Sequence, residues 1–152
     1  MVWGSGANVY FSGSTSVFKW NGTTWTSVFK DPFGSPFLGQ WLDGPAANDL
    51  WTYGSTLAHF DGTTWTTSPA SALAPDFHTM ATLWLQGSTP LAIRHFSAPP
   101  QVERWTGTSW KDERIGDGSF TLLAFASHGA QTWLLGQRTS AGNEMVLLYR
   151  GP

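Results

Sequence analysis

One seven-residue unit recurs along this 152-residue chain and limits what it can become. It reads WNGTTWT at 20–26, FDGTTWT at 60–66 and WTGTSWK at 105–111, and a fragment, YRG, stands at 149–151. The glycines at its centre, Gly22, Gly62, Gly107 and Gly151, lie 40, 45 and 44 residues apart. A fixed period of that length is the mark of an array of small supersecondary units. Asn-Gly and Asp-Gly favour the two-residue type I′ hairpin turn, because both central residues must take positive φ. With residues 21 and 22 as that loop, Trp20 faces Thr23, Lys19 faces Thr24 and Phe18 faces Trp25. Alternation then puts Phe18, Trp20 and Trp25 on one face. The other face carries Lys19, His59, Arg104 and Tyr149 in equivalent places.

Working outward from each glycine yields the same series of short segments. The first repeat reads VWGS, NVYFSG, SVFKW and TTWTSVF; the second LGQWLDG, DLWTYGS, LAHF and TTWTTS; the third ATLWLQG, PLAIRHF, QVERW and TSWKDE. The fourth supplies three, FTLLAFAS, QTWLLGQ and MVLLYR. Each segment has strand length, is rich in aromatic or β-branched residues, and is bounded by turn formers. No segment carries a sustained helical apolar stripe, so helix is expected to be close to absent.

The expectation is an all-β chain forming a single β-propeller domain over 1–152. Its repeats run approximately over 2–29, 37–68, 79–113 and 120–152, as about four four-stranded antiparallel blades with the last incomplete. A sandwich or an open β-solenoid is the alternative. Two assemblies compete: a compact four-bladed monomer, and a dimer whose half rings close into eight blades. An unclosed half ring would expose the apolar faces of blades one and four.

The stretch at 48–66, NDLWTYGSTLAHFDGTTWT, resembles the "dvWavG…hydGttW" repeats of bacterial β-propeller proteins, in the style of Kelch, BNR and propeller-lectin blades. The resemblance covers nearly the whole chain and is strongest in the first two repeats. In the third, Ser97 replaces the glycine after the second strand. The turn also differs from the Asp-box of sialidase propellers by one residue between Asp and Gly, so sialidase chemistry does not carry over. What the resemblance implies is a propeller fold, with carbohydrate as one ligand class.

Charged residues make up 12% of the chain, about half the usual share of ~25%, so apolar packing must hold the fold. A formal charge of -2 without a Lys/Arg cluster argues against nucleic acid or an anionic membrane as partner. The beginning, MVWGSGANVYFSG, lacks the features of a signal peptide, and no apolar run approaches the ~20 residues of a membrane span. The chain therefore reads as soluble, of undetermined compartment, and fits a module cut from a longer protein. With no Cys, disulfides, thiolate metal sites and thiol nucleophiles are all excluded.

No phosphate-cradling loop, nucleophile elbow or acid–base carboxylate couple stands out, so the reading is non-enzymatic, without a cofactor. His59, His78, His95 and His128 show no ligand spacing, and no metal site is expected. The periodic Trp25, Trp65 and Trp110 are accounted for by packing. Binding is expected instead on the long variable loops, where Phe33, Asp76, His78, Arg114, Asp117 and Arg138 project. The expected function is a lectin-like carbohydrate-binding module. The alternative is a structural or protein–protein segment that self-associates into a closed ring.

Overall fold

A computed structural model describes residues 1–32, 41–53, 57–68, 81–94, 101–113, 120–128, 131–138 and 144–150. Among them every regular element is a strand, as the alternating, turn-punctuated pattern requires. The first sheet comprises β1 (Val2–Ser5), β2 (Asn8–Ser12), β3 (Ser16–Trp20) and β4 (Trp25–Lys30). The second comprises β5 (Trp41–Ala46), β6 (Asp49–Tyr53), β7 (Leu57–Phe60) and β8 (Trp65–Thr67). The third holds β9 (Ala81–Gln86), β10 (Thr89–Arg94), β11 (Gln101–Trp105) and β12 (Trp110–Glu113). The fourth holds β13 (Phe120–His128), β14 (Gln131–Arg138) and β15 (Glu144–Arg150). All four are antiparallel meanders, with strands neighbouring in sequence order. The chain divides into two compact units, Met1–Leu73 with the first two sheets and Ala74–Pro152 with the last two.

The repeated hairpin is built differently from a two-residue turn. Trp20 pairs directly with Trp25, Phe60 with Trp65 and Trp105 with Trp110, leaving four-residue loops at 21–24, 61–64 and 106–109. The cause is the first loop side chain. Asn21 Oδ1 accepts the Thr23 and Thr24 N–H at 2.9 and 2.8 Å, and Asp61 Oδ1 accepts those of Thr63 and Thr64 at 2.8 and 2.7 Å. This Asx-type closure holds both threonines inside the loop, with Gly22, Gly62 and Gly107 at φ 100°, 94° and 97°. Lys19 therefore faces Thr26 and not Thr24, and Phe18 faces Ser27 and not Trp25. A slip of two residues preserves the face, so Phe18, Trp20 and Trp25 still lie together. Ring centroids within the hairpin pairs stand 5.3, 5.2 and 5.4 Å apart.

Each sheet thus has two distinct faces. The leading face bears the hairpin aromatic pair in the first three sheets and Phe125, Leu134 and Leu148 in the fourth; the trailing face bears the row containing Lys19, His59, Arg104 or Tyr149. In the first unit the trailing face of sheet one packs on the leading face of sheet two. Trp3, Tyr10, Val17 and Phe29 meet Leu42, Leu50, Phe60 and Trp65, and Phe29 stacks on Trp65 at 5.0 Å. Two hydrogen bonds fix the seam: Trp3 Nε1 donates to the Gly44 carbonyl at 2.9 Å and Tyr10 Oη to the Ala47 carbonyl at 3.4 Å. Pairing of β5 with β6 shifts register between Asp43 and Ala46, where Pro45 has no N–H to contribute. Gly44 is required at this irregularity, because a Cβ there would fall on the Asp49 carbonyl oxygen and 2.6 Å from Leu50 Cδ2.

The second unit repeats the arrangement with different residues. Trp84, Leu91 and Val102 on the trailing face of sheet three pack against Phe125, Leu134 and Leu148 on the leading face of sheet four. Trp84 stacks on Phe125 at 4.4 Å. The Trp65 and Trp84 indole N–H groups are buried without an acceptor, so in these seams the rings act as apolar volume.

Candidate functional site

The leading face of sheet one is open. Because Val2 pairs with Phe11, Phe11 with Phe18, and Trp20 with Trp25, alternation sends all of these side chains outward together. Val2, Val9, Phe11, Phe18 and Trp25 line a groove of about 460 Å³. Val2 is 68% exposed, Trp25 47% and Phe11 39%. Phe11 is the hub, with centroids 6.1 Å from both Phe18 and Trp25. Apart from the Trp25 indole N–H, the lining side chains carry no hydrogen-bonding group. The groove can offer apolar area and ring faces, and very little polar recognition.

A second open apolar face lies on sheet four. Tyr149 pairs with Trp133, and Leu147 with Leu135, placing these four on the trailing face. Leu147 is 67% exposed, Tyr149 55% and Met145 53%. Exposed apolar side chains gathered in this way mark interaction surfaces more often than isolated ones do.

The polar groups are engaged within their own sheets. In the column of Lys19, His59, Arg104 and Tyr149, all but Arg104 lean on the second strand of their repeat. Lys19 Nζ lies 5.3 Å from the Tyr10 ring centroid, His59 stacks on Trp51 at 4.0 Å, and Tyr149 lies 5.5 Å from Trp133. His59 Nε2 also lies 2.8 Å from Asp49 Oδ1. Arg104 Nε donates to Glu113 Oε1 at 2.6 Å, and its Nη2 donates to Gln86 Oε1. Burial pushes the Asp43 carboxyl above its usual range, partly offset by the N–H of Gly44. The backbone N–H groups of Thr64 and Thr63 hold the Asp61 carboxyl below it. Burial also pushes the Tyr53 hydroxyl up.

Of the loop residues expected to bind, Arg138 is described. It ends β14, and its Nη1 lies 3.8 Å from Glu144 Oε2 on the neighbouring strand. Phe33, Asp76, His78, Arg114 and Asp117 lie outside the described residues, as does His95, while His128 ends β13. Among the described residues no group of three His, Asp or Glu could hold a metal ion, and no helix is long and apolar enough to cross a membrane. The groove residues Val2, Val9 and Phe11 were not singled out from sequence, and Phe18 was placed beside Trp25 as a packing residue only. Their signal was the cross-strand register, which aligns them with the hairpin tryptophans.

Fold and faces together define an all-β repeat protein of tryptophan-rich antiparallel meander sheets. Neither family models, curated proteins nor solved structures yield a match to the chain.

Proposed function

We propose that the chain is a non-enzymatic segment of a β-propeller whose task is protein assembly through its two open sheet faces. The observation that carries this reading is the pairing of those faces with the two seams. In each unit a trailing face is already covered by a leading face. One further leading face and one further trailing face, both apolar, are exposed. Sequential four-stranded meanders packed face on face are the architecture of propeller blades. The ionisable side chains support a non-enzymatic role, since Arg104, Glu113, Asp49, His59 and Asp61 are tied to their own sheets and turns.

The carbohydrate-binding reading draws on Trp25, an exposed ring able to stack on a sugar. The remaining groove offers a sugar's hydroxyls no partner, whereas a protein face needs none. Titration with neutral mono- and oligosaccharides at millimolar concentration is expected to show no saturable binding. Saturable binding lost in Trp25→Ala would replace the assembly reading with the lectin one.

Assembly is tested directly because the chain has no Cys, so a single introduced thiol reports on one place. In Val2→Cys and in Leu147→Cys the thiol is expected to be protected at micromolar protein, while Ser5→Cys, on an exposed strand end, reacts freely. Equal reactivity of all three would overturn the reading.

A further inference from the structure

We infer that the open leading face of sheet one is built to receive the open trailing face of sheet four from a second copy of this chain. Two copies thereby close head to tail through two identical seams. The inference rests on the propeller reading above and names the partner that reading leaves open.

The strand registers fix which positions of the sheets are equivalent. Val2, Phe11 and Phe18 on sheet one correspond to Phe125, Leu134 and Leu148 on sheet four, since Val2 pairs with Phe11 as Phe125 pairs with Leu134, and Phe11 with Phe18 as Leu134 pairs with Leu148. The sheet-four trio is covered by Leu91 and Val102 of sheet three. Those two residues have their own counterparts in Trp133 and Leu147 on the trailing face of sheet four. They also have counterparts in Tyr10 and Val17 on the trailing face of sheet one, which cover Leu42 and Leu50. Two seams in the molecule are therefore made in the same way, a trailing face covering a leading face, with different side chains. The same two kinds of face are displayed by Val2, Phe11 and Phe18 on sheet one and by Trp133 and Leu147 on sheet four, with Val2, Phe11 and Leu147 exposed.

Burial measures what is missing. Val2 is 68% exposed, against 3% and 4% at the equivalent Leu42 and Leu83. Leu147 is 67% exposed, against 0% and 4% at Val17 and Val102. Trp25 occupies the place of Trp65, whose ring stacks on Phe29 of the sheet before it; with no such neighbour, Trp25 is left 47% exposed.

A seam of this kind is heterologous, one leading face against one trailing face, so it must close into a ring or grow without limit. Propellers range over about four to eight blades. With four sheets among the described residues of each chain, two copies is the one multimer inside that range. A partner with a different surface would have no reason to find both halves of the internal seam displayed on one chain.

The test is the solution mass of the native chain together with two charge substitutions on exposed residues, Val2→Asp and Leu147→Asp. Each is checked for the native far-ultraviolet circular dichroism. The native chain is expected to sediment as a dimer. Each variant alone places Asp in both seams and should weaken dimerisation by at least about 100-fold. Mixing the two variants restores one wholly native seam, so the mixture should recover a dimer that neither variant forms alone. Leu147→Asp remaining dimeric by itself would mean that leading faces meet each other, and would overturn the inference. So would assemblies that grow beyond two copies with concentration. A native monomer whose Val2→Cys and Leu147→Cys thiols are protected would also overturn it, while leaving the propeller-segment reading in place. Freely reactive thiols in that monomer would remove both.

Discussion

Leu57 and Leu147 hold the same place in their sheets, on the third strand, two residues before the row of His59 and Tyr149. Leu57 pairs with Tyr53 and is 0% exposed; Leu147 pairs with Leu135 and is 67% exposed. The residue type, the strand and the neighbour across the ladder are alike in kind, so none of them determines burial. What differs is whether the face is covered. A repeat therefore carries the instruction to pack, and its place in the array decides whether the instruction is carried out.

The largest expected effect tests that difference. Leu57→Ala should cost about 2–5 kcal/mol in urea unfolding, because it empties a fully covered site. Leu147→Ala should change stability by less than about 0.5 kcal/mol at protein concentrations low enough to keep chains apart. Similar losses from the two would break the comparison.

Next in size is the seam between the first two sheets. Gly44→Ala pushes a methyl into the Asp49 carbonyl and Leu50, at a cost of about 2 kcal/mol. Gly4→Ala, on the open leading face with its nearest neighbour 3.5 Å away, should be tolerated in the same denaturation assay.

Tyr53 shares the covered face with Leu57 and has a hydroxyl pKa raised by burial. Its contribution is fully present below the unfolded value of about 10 and is lost as pH rises beyond it, at up to about 1.4 kcal/mol per pH unit. Alkaline unfolding followed by phenolate absorbance should show this slope, and Tyr53→Phe should abolish it.

The smallest effects fall where the comparison ought to vanish, at the turns, which are exposed in both the first and second sheets. Asn21→Ala should cost about 1 kcal/mol by removing the acceptor for two backbone N–H groups. Asp61→Ala should act in the same direction, and Asp61→Asn should retain most of the turn. With its folded pKa lowered, Asp61 contributes stability above the unfolded carboxylate pKa that is lost as pH falls through the folded value. Asp61→Asn should flatten that acid limb of the melting profile.

Much of this was legible beforehand, because it is governed over short distances. The fifteen strands among the described residues fall on segments that alternation and turn residues had marked, and Phe18, Trp20 and Trp25 share the face assigned to them. The loop length was misread, since Asn21 and Asp61 were taken as backbone turn formers while their side chains close a wider loop. The site was less legible. Loops carrying Phe33, Asp76, His78, Arg114 and Asp117 were chosen for their variability, a property with no geometry attached. Arg138, the described member of that set, lies beside Glu144 at a strand end.

The strands, the turns, the period and which side chains travel together can be read from the letters alone, since all of these follow from backbone alternation and hydrogen bonding among near neighbours. Which faces are covered is set by packing between sheets. Val2 and Leu42, or Leu147 and Val17, are equally apolar as letters, and burial depends on a second surface that no local pattern encodes.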